Sequence, residues 1–439
     1  MEAKLNLITE KARRDKQLKF TSLIHHINED NLVKCFSELK KYKASGIDGV
    51  TVEEYERDLE RNVFNLVEKL KTKSYRPKPA RRVYIPKAGK KNEKRDLGIP
   101  TVEDKLVQLM LKKILEAIFE TDFKSFSHGF RPDKSCITAI KELNEEVMTR
   151  PINFIVEVDI RKFFDTVDHY WLLRCLEERI ADANLLWLIR CFLKAGVVEE
   201  GEYHASEQGT PQGGVVSPLL ANIYLHYVLD SWFEKVFKPE AKGYMKMIRY
   251  CDDFVVCCES ERDAKEFLKS LEERFAKFGL AVSPEKTKIV KFGRSVWQRS
   301  KKTKEKQATF NFLGFTHYCA ASRRGSFIMG HKTSKENLNR KLKEIKEWVK
   351  SVRNLLKLKT WWPTLKAKLT GHYNYFGISG NFRCLKQFYQ RVTGIIFKWI
   401  NRRSQRKSMT LEMFWQYLQW NPLPTPRICH ALYATTPTK

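Results

Sequence analysis

Two adjacent carboxylates lie between two apolar runs in the segment Ile248-Arg249-Tyr250-Cys251-Asp252-Asp253-Phe254-Val255-Val256. Both runs contain β-branched residues, so the pattern predicts a β-hairpin with Asp252 and Asp253 at its tip. Bare carboxylates at a strand tip suit Mg²⁺, a hard cation that prefers oxygen ligands, better than they suit a packed core. Because Asp is also common in turns for conformational reasons, this segment alone leaves an ordinary turn as the alternative.

A further carboxylate comes from residues 154–160, a strand-like run in which Asp159 falls at the end. A two-metal site needs such a ligand from a distant part of the chain. Residues 161–165 shift toward a helical pattern, so the alternative role for Asp159 is a helix N-cap. We expect that structural role for Asp165 or Asp168.

A third block, residues 208–222, begins with Gln208-Gly209-Thr210-Pro211-Gln212-Gly213-Gly214 and continues as an apolar, helix-like run. Its Gly residues allow a close approach of the backbone to a ligand. Taken alone, the block is an ordinary entry from a loop into a helix.

In this order and spacing, the three blocks resemble those of reverse transcriptases, most closely the group II intron-encoded reverse transcriptase/maturase branch. Further segments match that branch over most of the chain: 44–50 its N-terminal extension, 76–101 and 127–132 its finger blocks, and 280–288 and 311–315 its last palm motifs. One departure is Cys251, where intron enzymes usually have Ala. Both residues are small, so we expect catalysis to survive.

The resemblance and the pattern of elements predict an α+β fold, a right-hand polymerase with helical fingers, an antiparallel palm sheet and a helical thumb. The expected division is 1–152 for the N-terminal extension and fingers and 153–328 for the palm, with a finger-like helical insertion at about 170–205. Residues 329–439 are expected to form a basic helical thumb that is similar to the maturase X region. Residues 294–306 are predicted to be a basic loop.

The resemblance also implies the site. Its catalytic residues would be Asp159, Asp252 and Asp253, which would hold two Mg²⁺ ions (or Mn²⁺ as a substitute) with the backbone carbonyl of Ile160. The nucleotide-binding positions that it implies are Lys87, Arg95, Phe164, Gln212 and Lys286. The expected primer- or template-binding positions are Arg131, Gly314, Arg402 and Arg403.

Several of these roles have structural alternatives. Lys87 and Arg95 match positions that grip the triphosphate, but a solvated basic hairpin explains them equally well. Phe164 matches a steric gate against the 2′-hydroxyl, with a core Phe as the alternative. Lys286 matches a general acid, for which Lys288 is a rival. Gly314 lies in a segment that matches the primer grip and otherwise indicates a plain buried strand.

The net charge of +29 predicts a polyanionic partner. From residue 331 onward, 22 Lys and Arg face only four Glu, so +18 of that charge lies in the last quarter. Aromatic residues are interspersed among these charges, and for most of them individually a helical core with a solvated basic face is the better interpretation. For the segment as a whole, this much charge of one sign favours a thumb that binds nucleic acid. The expected partners are an RNA template, a DNA primer, deoxynucleoside triphosphates and the parent group II intron RNA; a membrane surface is the lesser alternative.

The ten cysteines include no C-x₂-C pair, so a zinc site is not expected. The sequence has no signal peptide or transmembrane run, which predicts a cytoplasmic protein with reduced thiols. No Cys- or His-rich endonuclease module follows residue 433, so we expect that the protein does not cut its own DNA target.

Three functions compete at this level. The first is an RNA-directed DNA polymerase that also helps its intron to splice and to move by retrohoming. The second is a domesticated group II-like reverse transcriptase in phage defence or DNA repair. The third is a non-catalytic RNA-binding maturase, against which the intact Asp159, Asp252 and Asp253 count.

Overall fold

The computed structural model describes residues 1–86, 94–210, 213–305, 307–403 and 408–433. Its strands are β1 (Ala80–Pro86), β2 (Lys94–Ile99), β3 (Phe154–Asp159), β4 (Val197–Glu199), β5 (Glu202–His204), β6 (Met245–Tyr250), β7 (Asp253–Cys258), β8 (Lys288–Lys291), β9 (Phe310–Phe312), β10 (Phe315–Ala321) and β11 (Phe327–Thr333). They form three small sheets with the strand orders β2-β1-β4-β5, β6-β7-β3-β8 and β11-β10-β9.

The α-helices are α1 (Glu2–Arg14), α2 (Glu29–Ser37), α3 (Val52–Glu56), α4 (Leu59–Lys71), α5 (Val102–Phe119), α6 (Cys136–Thr149), α7 (Phe163–Thr166), α8 (His169–Glu177), α9 (Ala183–Lys194), α10 (Ser217–Leu225), α11 (Lys238–Glu240), α12 (Glu261–Ala276), α13 (Arg294–Thr303), α14 (Lys335–Val352), α15 (Leu358–Phe376), α16 (Phe382–Ile400) and α17 (Leu411–Trp420). A 3₁₀ turn spans Ile24–His26, and the stretches His226–Asp230 and Phe233–Phe237 between α10 and α11 are π-helical. The architecture is therefore a mixed α+β arrangement with several small sheets.

The central sheet, β6-β7-β3-β8, is antiparallel throughout. Its two middle strands, β3 and β7, are the most apolar, and residues 254–258 of β7 are all buried. β-Branched residues such as Val255 and Val256 fit this pleated, two-sided packing. The predicted hairpin is confirmed, because β6 and β7 pair directly and Cys251 and Asp252 form the connecting turn.

Residues 294–303 form helix α13, so the prediction of a basic loop over 294–306 is wrong for this stretch. The helix has one apolar anchor, Trp297, which is buried and packs on the ring of Phe327 at 5.7 Å. Lys301 lies one turn further along and covers the same indole at 4.0 Å. A single buried aromatic residue thus fixes a helix whose other side chains are mostly polar.

The predicted domain boundary at 328/329 falls inside β11, which runs from Phe327 to Thr333. Beyond it, helices α14 to α17 share a hydrophobic core, in which Trp361 and Tyr373 are fully buried and to which Ile140 of α6 and Phe315 of β10 also contribute. Within the part of the chain that the structure describes, no helix is both long and apolar enough to cross a membrane.

Candidate active site

Arg249, the next-to-last residue of β6, fixes the β6–β7 hairpin from the buried side of the sheet. It is fully buried and forms an ion pair with Asp230, which lies in the first π-helical stretch and is also fully buried. Its Nη1 donates to Asn222 Oδ1 and to the Cys251 carbonyl, both at 3.0 Å, and Nη2 donates to Ser127 Oγ at 2.8 Å. The turn that carries the carboxylates is therefore fixed by one guanidinium group.

The carboxylate-bearing residues come from adjacent strands. Asp159 is the last residue of β3 and pairs directly with Asp253, the first residue of β7. Directly opposed residues in an antiparallel ladder project to the same face, with Cβ atoms about 5 Å apart. Asp252 precedes Asp253 in the turn, where Cys251 adopts a left-handed φ of 58°. All three predicted aspartates are therefore neighbours at one end of the sheet.

The N-cap alternative is wrong for Asp159, because Lys162 is the N-cap of α7 and makes no side-chain cap. It is confirmed for Asp168, whose carboxylate accepts a hydrogen bond from the Trp171 amide at 2.9 Å. Ile160, the predicted carbonyl ligand, is buried just beyond β3 and bridges to Val282.

Two lysines face two carboxylates on β3. Lys286 Nζ contacts both carboxylate oxygens of Asp159 at 2.9 Å, and Lys288 Nζ contacts Glu157 at 3.2 Å. The turn before β8 sets this register, since the Lys286 amide donates to the Ser283 carbonyl at 3.1 Å. Of the two rival lysines, Lys286 is therefore the one beside Asp159.

Asp253 lies where negative charge accumulates. Burial of its carboxylate among protein atoms, and then the charges of Asp252, Glu157 and Asp159, raise the pKa of Asp253 to about 7. Because Asp253 is exposed at the turn, the neighbouring charges outweigh burial as the cause of this raised pKa. The backbone amide of Leu313 faces this carboxylate and lowers its pKa in part.

The carboxylates supply only hard oxygen donors, which is the donor set that Mg²⁺ selects. These residues fit a metal through the chemistry of their donor atoms and not through a preformed geometry. Among the described residues, no three Asp, Glu, His or Cys side chains converge as a ready metal site. The accumulation of like charge around Asp253 is the feature that a cation would stabilise.

Phe164 lies in the wall of a cleft of about 800 Å³, next to Lys162 and residues 208–210. Its neighbour Phe163 is the buried ring, and the two meet edge to face at 5.4 Å. Residues 208–210 pack closely on α7, since the Thr210 amide donates to the Phe164 carbonyl at 2.7 Å. At Gly213, with φ of 107°, a Cβ would lie 2.3 Å from the Gly98 carbonyl, so only Gly fits.

Three of the predicted nucleotide-binding groups fall in parts of the chain that the structure does not describe. Lys87, Gln212 and the side chain of Arg95 lie outside the described residues. The backbone of Arg95 pairs with Ile85 in the β1–β2 hairpin. Their roles stay predictions.

Gly314 forms a tight turn between β9 and β10, where Leu313 and Gly314 have φ values of 49° and 83°. Two successive left-handed residues are typical of a type I′ hairpin turn, so the alternative of a plain buried strand is wrong here. The Gly314 carbonyl accepts from the Ser334 amide at 3.1 Å, and Tyr375 Oη donates to the Leu313 carbonyl at 3.0 Å. The turn lines a cavity of about 790 Å³ that also borders Tyr250.

The arginines predicted to bind primer or template differ in their surroundings. Arg131 has a largely enclosed side chain, whose guanidinium binds Glu120 and the carbonyls of Lys124 and Ser127. Arg402 is exposed beside the Trp399 ring, at 5.4 Å. Nε and Nη2 of Arg403 are buried and have no hydrogen-bond partner among the described residues. The structure thus gives Arg131 a structural role, and nucleic-acid contact by all three stays a prediction.

Sequence reasoning missed Glu157, Asp230 and the role of Arg249. Glu157 carried a usable signal, because it stands two residues before Asp159 and so shares its face of β3. Arg249 lies in the hairpin segment, but its partner is 19 residues away on a helix, where no local pattern points to it.

Comparison with known proteins identifies the family of the chain. A family model described as reverse transcriptase (RNA-dependent DNA polymerase) matches residues 85–317. The group II intron-encoded protein LtrA of Lactococcus lactis is 35% identical over 303 residues, which are 66% of this chain and 50% of that protein. Protein YkfC of Escherichia coli is 40% identical over 201 residues, 45% of this chain and 52% of that protein.

A plant protein, nuclear intron maturase 4, mitochondrial, of Arabidopsis thaliana, is 30% identical over 149 residues, 34% of this chain and 18% of that protein. The chain spans about half the length of LtrA and of YkfC. The chain belongs to the reverse transcriptase family, in its group II intron-encoded reverse transcriptase/maturase branch. The family resemblance in the sequence is thereby confirmed.

Proposed function

We propose that the chain is an RNA-directed DNA polymerase that also binds its parent group II intron RNA to aid splicing and retrohoming. The observation that carries the proposal is the pairing of Asp159 with Asp253 across two strands, with Asp252 in the adjoining turn. Family membership supplies the reaction class, and these carboxylates supply a place for it.

In this proposal Asp159, Asp252 and Asp253, with the Ile160 carbonyl, hold two Mg²⁺ ions. Those ions, when bound, stabilise the ionised primer 3′-hydroxyl and the charge on the leaving pyrophosphate. Lys286, which lies on Asp159, is the proton donor for the pyrophosphate oxygen.

The sugar is selected by the wall of the 800 Å³ cleft. Phe164 is half-buried and presents its ring there, where it would meet a 2′-hydroxyl. Lys87, Arg95 and Gln212 are assigned to the triphosphate and the template base by family resemblance alone. The Gly314 turn, next to Asp253 through the Leu313 amide, is assigned to the primer end.

The three-part organisation is also proposed: fingers to residue 152, palm from residue 153, and a basic helical thumb. We move the last boundary to Ser334, because β11 ends at Thr333 and Ser334 caps α14 through the Asn337 amide. The +18 charge beyond residue 331 suits a long contact with nucleic-acid phosphates.

Binding to intron RNA rests on the relatives, among them a protein named as group II intron-encoded and another named as an intron maturase. The direct test of polymerase function is extension of a DNA primer on an RNA template with deoxynucleotides and Mg²⁺. Template-dependent products that disappear with a chelator are expected. A folded, RNA-binding protein without any extension would overturn the polymerase assignment and favour the non-catalytic maturase.

A further inference from the structure

A pocket of about 480 Å³ lies between α9 and the β4–β5 hairpin, apart from the carboxylates of the active site. Its walls carry Trp187, Arg190 and Lys194 of α9, Tyr203 of β5, and Arg76 from the segment before β1. Pockets of this size accommodate a small ligand or one nucleotide.

A single face of α9 lines the pocket over two helical turns. Trp187, Arg190, Cys191 and Lys194 stand at positions i, i+3, i+4 and i+7, which lie on one face of a helix. The opposite side of α9 is the apolar one, where Leu185, Leu188, Ile189, Phe192 and Leu193 are buried. Arg190 and Lys194 are exposed, so the helix directs a ring and two cations outward into the pocket.

The pocket is strongly positive. None of its lining residues is acidic, and the salt bridges of the described residues include none to Arg76, Arg190 or Lys194. The Cys191 thiol lies within the electrostatic influence of all three cations. Burial raises the pKa of this thiol, and the charges of Arg76, Arg190 and Lys194 lower it in part. Cations gathered without a protein counter-charge suit an anionic ligand.

The two aromatic rings of the pocket, those of Trp187 and Tyr203, are held in place by contacts with their neighbours. The Arg76 guanidinium lies over the Trp187 ring at 5.3 Å, while Tyr203 is 56% exposed. Tyr203 is held over Gly196, where an added Cβ would lie 2.7 Å from the Tyr203 ring. A flat ring beside phosphate-binding cations is the usual combination for an unpaired nucleotide.

The β4–β5 hairpin separates this pocket from the cleft that contains Phe164. Tyr203 faces the pocket, whereas His204, the next residue, lines the cleft on the other face of the hairpin. Adjacent residues of a strand project to opposite faces, so the two sites lie back to back. A ligand in the pocket would not compete with a nucleotide in the cleft.

We propose that this pocket binds one unpaired nucleotide of an RNA strand, with its base against Trp187 and Tyr203 and its phosphates on Arg76, Arg190 and Lys194. The choice of RNA as the polymer rests on the proposed function; the pocket itself rests on the charges and rings above. RNA recognition typically uses unstacked bases on aromatic or guanidinium planes. The pocket gives the protein an RNA contact outside its polymerase cleft.

The test uses the full chain and a short, fluorescein-labelled oligouridylate that contains 4-thiouridine. Ultraviolet cross-linking followed by peptide mapping is expected to mark Trp187 or Tyr203. Trp187→Ala should weaken oligonucleotide binding at least fivefold, a typical loss for one stacked base. The double variant R190Q/K194Q should lower the slope of log affinity against log salt by about 1.4.

The matched control is K265Q/K269Q, which removes two exposed cations from α12. Affinity losses equal to this control, or cross-links confined to other regions, would overturn the proposal. Melting temperatures check folding, and Trp187→Phe, which retains a ring, should restore most of the binding. If Trp187→Ala does not fold, R190Q/K194Q and the cross-link map decide.

Primer extension on a template too short to reach the pocket separates the two proposals. Unchanged extension with reduced oligonucleotide binding supports the pocket. If the wild-type chain binds RNA through these residues but extends no primer, the polymerase assignment fails and the pocket stands.

Discussion

Arg249 and Asp230 form a fully buried ion pair directly behind the Asp252–Asp253 turn. Arg249 Nε donates to Asp230 Oδ1 at 2.7 Å, and the same guanidinium reaches the Cys251 carbonyl inside the turn. Asp230 lies in a π-helical stretch. π-Helices are rare in proteins overall, but those that occur are often found at functional sites. The position of the carboxylates therefore depends on a pair that touches none of the predicted substrates.

Replacing Asp230 by Ala should lower the free energy of unfolding by about 3–5 kcal/mol, because it leaves the buried Arg249 charge without its partner. Urea denaturation measures the change. The control is Glu234→Ala on the second π-helical stretch, which removes a partly exposed pair with Lys238 and should cost less than about 1 kcal/mol. Equal effects in the two variants would contradict the importance of the buried pair.

Asp159→Asn and Asp252→Asn should each abolish primer extension, since a neutral amide cannot offset the charge of the metals. RNA binding should be unaffected, because the basic C-terminal region is unchanged. Single-turnover extension and a binding titration give both quantities. Asp133→Asn, an exposed change in a left-handed position that Asn tolerates, is the control and should extend normally. Near-normal extension by either site variant would remove the proposed site.

Phe164→Ala should raise ribonucleotide incorporation relative to deoxynucleotide incorporation, because it removes the ring from the cleft wall. Phe163→Ala, the matched control, should instead destabilise the fold by about 3–5 kcal/mol without changing sugar choice. Competition between the two nucleotide types, measured alongside thermal melting, separates the effects. The gate hypothesis fails if Phe164→Ala retains the wild-type preference.

Lys286→Ala should slow nucleotide transfer by about 10²–10⁴-fold if Lys286 is the proton donor. Lys288→Ala should have a smaller effect, because Lys288 pairs with Glu157 and not with Asp159. Rapid-quench kinetics over a pH series is the measurement, since loss of a general acid also removes one limb of the pH–rate profile. A larger defect in Lys288→Ala would reverse the assignment.

His317 and His331 face each other in the β10–β11 ladder, with their Nδ1 atoms 3.0 Å apart. Burial lowers the pKa of His331 to about 4 and lowers the pKa of His317 well below its ordinary value. Below about pH 6.5 the unfolded chain takes up protons that the folded chain excludes, so stability should fall between pH 6.5 and 4.

The slope is about 1.4 kcal/mol per pH unit for each such histidine. Urea midpoints over this range should show a shallower slope for His331→Asn than for His25→Asn, an exposed control. Identical slopes would mean that the pair does not control acid stability.

The local sequence pattern was sufficient to predict the β6–β7 hairpin and the end of β3. It therefore also predicted where the three aspartates lie in these elements. A short apolar run rich in β-branched residues indicates a strand from its own neighbours, and Asp159 and Asp253 each stand at the end of such a run. Net charge is a sum over residues, so the basic character of the C-terminal region can be read from the sequence without knowledge of the fold. Family motifs then joined these pieces in the correct order.

The tertiary structure alone decided between equivalent residues. Phe163 and Phe164 are chemically identical, and only the packing of α7 assigns one to the core and the other to the cleft. Lys286 and Lys288 are also chemically identical, and only the turn before β8 and the pairing of β8 with β3 place one beside Asp159 and the other beside Glu157. Leu313 and Gly314 turn instead of extending because the following strand must pair back on β9.

The same holds for the helix α13, which one buried contact between Trp297 and Phe327 stabilises, and for Arg249 with Asp230. Each depends on contact between residues that are distant in sequence. Local propensity carries no information on such contacts, because burial and charge pairing exist only once the chain has folded.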